Sequence, residues 1–233
     1  MPPSLRHLFL PTCWAGKPTL IRSYYISKQH LHKGAVFVYR LIYLLYLTMR
    51  KFGVFSTFLF LSIVAAGAYG MLHDQVTASI SPEYFTRFKF PQFHMGNPEP
   101  FRLGVAIVGF YATWWTGALI GLVLGLTGFN FPDHKTMRAA LYKSLLLVSI
   151  VTILTGCCGF IYGKYIQDPS GVSWWLPDGL RDKTAFILVG NIHNFSYLGG
   201  LAGLLVGFIY LLSRKRNTVT RTGTPETNTH KTH

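Results

Sequence analysis

Four long apolar segments limit what this chain can fold into more than any other feature of its sequence. A helix needs about 20 mainly apolar residues to cross the roughly 30 Å hydrocarbon layer of a bilayer. Four segments reach that length and carry almost none of the chain's charge: 52–72, 103–129, 144–163 and 193–213. Only 13% of all residues are charged, against about 25% in a soluble domain. The sequence therefore predicts an all-α integral membrane bundle of four transmembrane helices, with the lipid bilayer as its surroundings.

The distribution of the basic residues predicts the orientation of this bundle. A formal net charge of +14 would suit a protein that binds nucleic acid. However, 16 Lys and Arg residues lie in the two terminal regions and in the 129–144 loop, whereas six lie in the loops 73–102 and 164–183. This is the positive-inside pattern of membrane proteins. We therefore expect both termini in the cytoplasm and no nucleic-acid partner.

The first 48 residues differ in composition from the rest of the chain. They contain no Asp or Glu, and their short apolar run is interrupted by Arg40. A basic pair and an apolar segment follow Met49, as at a natural start. We therefore interpret residues 1–48 as a disordered arm or an over-extended start, while an organellar presequence is an alternative that fits the same composition.

The transmembrane domain is predicted to span residues 49–213. Its first segment carries Ala66-Gly67-Ala68, which would suit cleavage as a signal peptide. The apolar run continues past that point to a full membrane length, so we expect a retained helix. Residues 214–233 form a basic, polar tail that we expect in the cytoplasm.

Small residues recur on one face of each of the last three segments. Helices in lipid associate through close packing of small residues and through interhelical hydrogen bonds. A spacing of three or four residues keeps each set on one helical face. The pattern predicts helix packing at nine glycines: Gly117, Gly121, Gly125, Gly156, Gly159, Gly163, Gly200, Gly203 and Gly207. A tight monomeric bundle is our expectation, and a homo-oligomer formed through one of these faces is the alternative.

The two extracytoplasmic loops contain signals for local structure. The Ser-Pro-Glu run at 81–83 combines an N-cap residue, a proline suited to the first helical position and an acid suited to the positive helix end. Aromatic and basic residues then alternate over 84–90, which predicts a short helix in the membrane interface. The two tryptophans at 174–175 fit an interfacial aromatic belt.

Two histidines are predicted to reach the same depth in the membrane. His73 lies 22 residues after Lys51, and His193 lies 21 residues before Arg214. His193 also begins the glycine-lined face of the last segment and should point into the bundle. Ionisable residues in such positions are functional candidates. We therefore expect a polar site near the outer membrane face, drawn from His73, Asp74, Gln75, Glu83, His193 and Asn194.

Two interpretations of this polar site stay open. Imidazole and carboxylate groups suit zinc and similar ions, and histidine titrates near neutral pH. The site can thus bind a divalent metal, with His73, Glu83 and His193 as ligands and Asp74 beside them, or relay a proton. Alternatively, the polar residues after the first segment only end that helix, and His193 with Asn194 forms an interhelical packing pair. No other cofactor is indicated.

Familiar catalytic and nucleotide-binding motifs are absent from the sequence. It has no phosphate-binding glycine loop, H-E-x-x-H, C-x-x-C or G-x-S-x-G motif, and its apolar segments lack the carboxylates of many ion-coupled carriers. The leading hypothesis is therefore a non-enzymatic envelope protein that binds a membrane or envelope partner. The alternatives are a metal- or proton-binding site at the outer face, with or without enzymatic activity, and a small transporter.

Five sequence motifs lie in or beside the apolar segments. They are His73-Asp74-Gln75-Val76-Thr77, Ser81-Pro82-Glu83-Tyr84-Phe85-Thr86, Arg102-Leu103-Gly104, Ala112-Thr113-Trp114-Trp115 and His193-Asn194-Phe195-Ser196-Tyr197-Leu198-Gly199-Gly200. Together they resemble the motifs of a family of uncharacterised bacterial membrane proteins. The resemblance covers about 49–213. It implies a multi-pass protein of the bacterial inner membrane, without implying a particular activity.

Overall fold

The computed structural model describes the backbone of residues 18–168 and 170–222, and the side chains of 36–168 and 170–214. The chain divides into two compact units, Met1–Met49 and Arg50–His233. The second unit begins at Arg50, one residue after the predicted start of the transmembrane domain, and it contains the polar candidate residues of 73–83 and 193–194. Within the described ranges the structure is helical and contains no strand.

Four long helices dominate the structure. They are α1 (Pro18–Ile80), α4 (Phe101–Gly128), α5 (His134–Tyr165) and α6 (Lys183–Thr222). Between α1 and α4, a covering segment of residues 82–92 consists of α2 (Pro82–Tyr84), a π-helical turn (Phe85–Lys89) and α3 (Phe90–Gln92). Each long helix contains a stretch that is long and apolar enough to cross a membrane. The predicted all-α bundle with four membrane-crossing helices is confirmed.

The helices extend beyond the apolar segments because hydropathy locates the lipid-buried part of a helix and not its ends. α5 starts at His134, where the Asp133 carboxylate accepts hydrogen bonds from the amides of Lys135 (2.8 Å) and Thr136 (3.0 Å), as an N-cap residue does. α1 continues to Ile80 and stops before Pro82, since a proline disfavours helical geometry in the residue before it.

Part of the region before the transmembrane domain is also helical. Residues 18–48 belong to α1, which differs from the disordered arm that we expected there, whereas an over-extended start stays a prediction. The sequence has no proline between Pro18 and Pro82, so nothing there forces a break in the helix. Residues 1–17, and residues 223–233 of the predicted tail, lie outside the described residues.

Glycines allow α1 and α4 to approach closely. A Cβ atom added to Gly70 would overlap the carbonyl oxygen of Gly109, and one added to Gly109 would lie 2.7 Å from the carbonyl carbon of Gly70. The Thr113 hydroxyl of α4 donates a hydrogen bond to the Ala66 carbonyl of α1 at 2.8 Å. Small residues and an interhelical hydrogen bond thus hold this pair together, as expected in lipid.

Helices α5 and α6 pack in the same way. A Cβ atom on Gly159 would lie 2.9 Å from the Asn191 carbonyl oxygen, and one on Gly203 would lie 2.9 Å from that of Val148. Of the nine glycines predicted to pack, eight face another helix: Gly117, Gly121, Gly125, Gly156, Gly159, Gly163, Gly203 and Gly207. The ninth, Gly200, differs, because a Cβ there would meet no described atom within 4 Å.

Two apolar cores fill the ends of the bundle, and a cavity lies between them. One core includes Phe58, Leu124 and Leu211. The other includes Phe85 and Phe186 and lies where α1 ends and α4 begins. Along α1, α4 and α6, the residues that line the cavity fall mainly between these two cores in the sequence. This central cavity has a volume of about 1010 Å³.

Candidate metal centre

Three side chains that can bind a metal converge at the edge of the central cavity. His73 and Asp74 come from α1 and His193 from α6, and one ligand atom of each lies within 4.8 Å of the other two. The imidazole rings of the two histidines meet edge to face with centroids 4.8 Å apart. Asp74 and His193 are each only 3% exposed. The structure thus brings together the two histidines that were predicted to share one depth.

His193 is held by its own helix through one ring nitrogen. Its Nδ1 lies 3.0 Å from the carbonyl oxygen of Val189, one turn earlier in α6. A carbonyl oxygen can only accept a hydrogen bond, so Nδ1 carries a proton and donates it. The second ring nitrogen, Nε2, points away from α6 and lies 3.1 Å from Asp74 Oδ1.

This arrangement places two lone pairs opposite each other. A neutral imidazole has a single N–H, and His193 uses it at Nδ1. Its Nε2 therefore faces the carboxylate oxygen of Asp74 with a lone pair on each atom. The contact is favourable only if a positive charge lies between the two atoms, either a proton or a metal ion.

The Nδ1 atom of His73 is also hydrogen-bonded, in this case to a side chain of the same helix. The Tyr69 hydroxyl, one turn earlier in α1, donates to Ser196 Oγ at 3.3 Å. Its oxygen lies 3.4 Å from His73 Nδ1 and accepts the proton of that nitrogen. The lone pair of His73 is then on Nε2, as in His193.

Two atoms of this group are buried and have no hydrogen-bond partner among the described residues. They are His73 Nε2 and Asp74 Oδ2. A buried polar atom without a hydrogen-bond partner lowers the stability of the fold by about 1–3 kcal/mol. Two such atoms in one group therefore indicate a ligand that contacts both. A metal ion held by both histidines and the carboxylate would do so.

The donor set fits a divalent transition metal. Two imidazole nitrogens and one carboxylate are the protein ligands of several catalytic zinc and iron sites. Donors about 2.0–2.2 Å from a tetrahedral ion are roughly 3.3–3.6 Å apart, close to the 3.1 Å between His193 Nε2 and Asp74 Oδ1. Each histidine also has its Nδ1 hydrogen-bonded to another group, which is the usual way that metal-bound imidazoles are oriented.

The covering segment encloses the site from the end of the bundle. The ring of Tyr84 stacks on that of His193 with centroids 4.8 Å apart, and the ring of Phe85 lies 6.5 Å away. Both residues are buried. Burial raises the pKa of the Tyr84 hydroxyl, because an apolar environment disfavours the phenolate. Tyr84 therefore stays neutral and supplies an aromatic wall.

Lys89 is a further polar residue beside the site, at a position that the sequence did not predict. It was expected on the polar face of an interfacial helix, but it is 3% exposed. Its Nζ donates to the Tyr197 hydroxyl at 3.0 Å, and it lines the same cavity as His73. The only hint in the sequence is its place between two phenylalanines. The π-helical turn that contains Lys89 leaves no hydropathy signal.

Glu83, which we expected among the metal ligands, lies apart from this group. Its carboxylate accepts hydrogen bonds from the backbone amides of Arg181 (3.0 and 3.1 Å) and Asp182 (2.9 Å), directly before α6. The bonds from Asp182 and Arg181 lower the pKa of Glu83, since they stabilise the ionised form. Glu83 therefore anchors the covering segment to the start of α6.

The other two polar candidates also lie outside the group. The Gln75 side chain donates to the carbonyl of Arg102 at 2.9 Å, and Arg102 donates back to the Gln75 carbonyl at 2.9 Å. This exchange joins the end of α1 to the start of α4. Asn194 is exposed, unlike its neighbour His193. Gln75 thus connects two helices, and Asn194 lies at the surface of the bundle.

Comparison with protein families, with curated proteins and with solved structures finds no match for this chain. A fold alone does not define a function. The function of this protein is therefore argued from the geometry and chemistry of its site.

Proposed function

We propose that this protein is a membrane metalloprotein that binds one divalent transition-metal ion through His73 Nε2, the Asp74 carboxylate and His193 Nε2. The observation that carries the proposal is the convergence of these ligand atoms within 4.8 Å of one another. Support comes from the hydrogen bonds at both Nδ1 atoms, which leave each Nε2 with a lone pair.

Three protein ligands make this a site for chemistry as well as for binding. Structural zinc sites use four protein ligands, whereas catalytic ones use three and keep a position for water or substrate. When bound, the ion would polarise an oxygen atom of a ligand or lower the pKa of a water molecule. We therefore favour this function over the non-enzymatic envelope protein that the missing motifs suggested.

A proton shared between His193 and Asp74 is the second candidate function. The 3.1 Å contact can hold a proton in place of a metal, and a buried pair of this kind could relay it. That arrangement leaves His73 Nε2 and Asp74 Oδ2 without partners. A bound metal ion would give both atoms a partner, and we therefore favour metal binding over a shared proton. A transporter is disfavoured because apolar cores fill both ends of the described bundle.

The location of the protein is part of the proposal. The excess of Lys and Arg at the termini and in the 129–144 loop supports cytoplasmic termini. The metal site would then lie near the outer face of the membrane. The motif resemblance supports the bacterial inner membrane as that membrane.

The direct test is the metal content of the purified protein. The full chain is extracted in detergent without chelators and its metals are measured by inductively coupled plasma mass spectrometry. We expect about one ion per chain in the wild type, by the coordination count above, and none in the His73→Ala/His193→Ala double variant. His94→Ala, in an exposed loop, is the matched control and should keep the metal. A wild type without metal would refute this function and leave the shared proton.

A further inference from the structure

The central cavity has a polar end and an apolar remainder. Its polar end contains His73, Asp74, Lys89 and His193, and its remainder includes Ile120, Leu145, Val148 and Leu204. At about 1010 Å³ it is as large as the pockets that hold drug-sized ligands, which measure about 300–1,000 Å³. Its shape and chemistry therefore match a ligand with one polar end and an apolar body.

The cavity is open towards the bilayer. Residues in its wall are half exposed although they lie in the membrane-crossing parts of their helices: Tyr111 is 56% and Trp115 54% exposed on α4, Ile153 50% on α5 and Leu201 64% on α6. The cavity is not fully enclosed, and these side chains lie in segments that cross the hydrocarbon layer. A molecule dissolved in the bilayer can therefore enter the cavity from the side.

The polar end selects for a negative charge. Among the described residues that line the cavity, Asp74 is the one acid and Lys89 the one lysine or arginine. The neutral Tyr197 hydroxyl is the hydrogen-bond acceptor for the Lys89 ammonium. With a divalent ion bound, one carboxylate cannot balance both the ion and the ammonium. Buried charge is costly unless it is paired, so an anionic group would stabilise this end.

We propose that the cavity binds an anionic membrane lipid, with its phosphate or carboxylate head at the metal ion and Lys89 and its apolar chain along the cavity. This inference rests on the proposed metal site, because the ion supplies the charge that Asp74 cannot balance. The lipid head occupies the coordination position left by the three protein ligands. The lipid is therefore the ligand of the proposed metal site. If the protein is an enzyme, the lipid is its substrate.

Gly200 provides a way to close the cavity without touching the metal ligands. It lies in the cavity wall on α6, and a Cβ there would meet no described atom within 4 Å. Gly200→Phe therefore places a ring in the space assigned to the lipid chain. Gly200→Ala adds one methyl group without a clash and is the matched control.

Lys89 tests the charge of the head separately. Lys89→Met keeps a long side chain of similar length in a buried position and removes the ammonium. It should weaken the binding of an anionic lipid by roughly tenfold or more, the size expected for the loss of a hydrogen bond to a charged group. It should weaken the binding of diacylglycerol much less, because that lipid has no charged group for the ammonium to contact.

The experiment measures metal and lipid on the same metal-loaded, full-length protein. Native mass spectrometry follows the binding of phosphatidic acid, phosphatidylcholine and diacylglycerol with identical chains, and elemental analysis follows the ion. We expect wild type and Gly200→Ala to prefer phosphatidic acid. Gly200→Phe should keep the metal and lose the lipid, and Lys89→Met should keep the metal and bind phosphatidic acid roughly tenfold more weakly than the wild type does.

The possible failures are distinguishable. A metal-loaded wild type that binds the three lipids equally overturns the lipid proposal and leaves the metal site intact, and so does a Gly200→Phe variant that binds phosphatidic acid like the wild type. A wild type without metal refutes the proposed function and, with it, this inference.

Discussion

Asp74 and His193, which are 119 residues apart in the sequence, face each other inside the bundle with Oδ1 and Nε2 separated by 3.1 Å. His193 donates its Nδ1 proton to the Val189 carbonyl, so the contact with Asp74 requires a proton or a metal ion between the two atoms. A covering segment anchored by Glu83 closes the end of the bundle over this pair.

Replacing Asp74 with Asn should remove the metal without unfolding the protein. The Asn side-chain amide can donate a hydrogen bond to His193 Nε2, so the contact no longer needs a positive charge. We expect loss of stoichiometric metal and a melting temperature near that of the metal-free wild type. Asp74→Ala should lose the metal as well, and about 1–3 kcal/mol of stability, because it leaves Nε2 buried without a partner. Elemental analysis and thermal unfolding in detergent measure both effects. An Asp74→Asn variant that keeps one ion per chain would contradict this role.

Removing the metal should destabilise the wild type. A ligand that binds only the folded state adds about 2.7 kcal/mol at a free concentration of 100 times its dissociation constant. Treatment with a chelator should therefore lower the melting temperature, and added zinc should restore it. The His73→Ala/His193→Ala variant should respond to neither treatment, whereas His94→Ala should behave as the wild type does. Equal responses in both variants would indicate binding at another site.

The anchor formed by Glu83 should make stability depend on pH in the acid range. Hydrogen bonds from the Asp182 and Arg181 amides lower the pKa of this carboxyl group in the folded protein below its ordinary value of 4.5. The folded state therefore binds the proton more weakly than the unfolded state. The resulting stabilisation is present above pH 4.5 and is lost as the pH falls through the lower, folded-state value.

Thermal unfolding from about pH 6 down to about pH 3 checks the role of Glu83. The melting temperature of the wild type should fall more steeply on acidification than that of Glu83→Gln, which cannot ionise. Asp178→Asn is the control, because it removes an exposed carboxylate from the loop before α6 and should follow the wild type. Parallel curves for wild type and Glu83→Gln would rule out the anchor.

Adding one methyl group should be harmful at Gly109 and harmless at Gly200. A Cβ on Gly109 would lie 2.7 Å from the carbonyl carbon of Gly70 and 3.0 Å from the Met71 Cα, so α1 and α4 would have to separate. Overpacking of this kind costs about 1–3 kcal/mol. Gly200→Ala gains the same helix propensity without a clash. Unfolding of the two variants in detergent compares them, and equal stabilities would show that the close contact of α1 and α4 is unimportant.

Much of the architecture could be predicted from local patterns. The number of membrane-crossing helices follows from segment length and hydropathy, since each segment must satisfy its backbone polar groups alone in lipid. The common depth of His73 and His193 follows from counting residues along two helices of fixed rise. Eight of the nine glycines in the small-residue pattern face a neighbouring helix, because a helical period assigns residues to one face.

The tertiary structure alone decided which polar residues meet. The sequence favoured Glu83 as a metal ligand with Asp74 beside it, but Glu83 bonds to the amides before α6 while Asp74 faces His193. Lys89 is turned inward and lines the cavity that Gly200 leaves open. Hydropathy and helical period are properties of one segment, so the sequence by itself determined the helices and the height of each side chain. The rotation of each helix and its choice of neighbour depend on contacts between distant segments, and these decided the composition of the site.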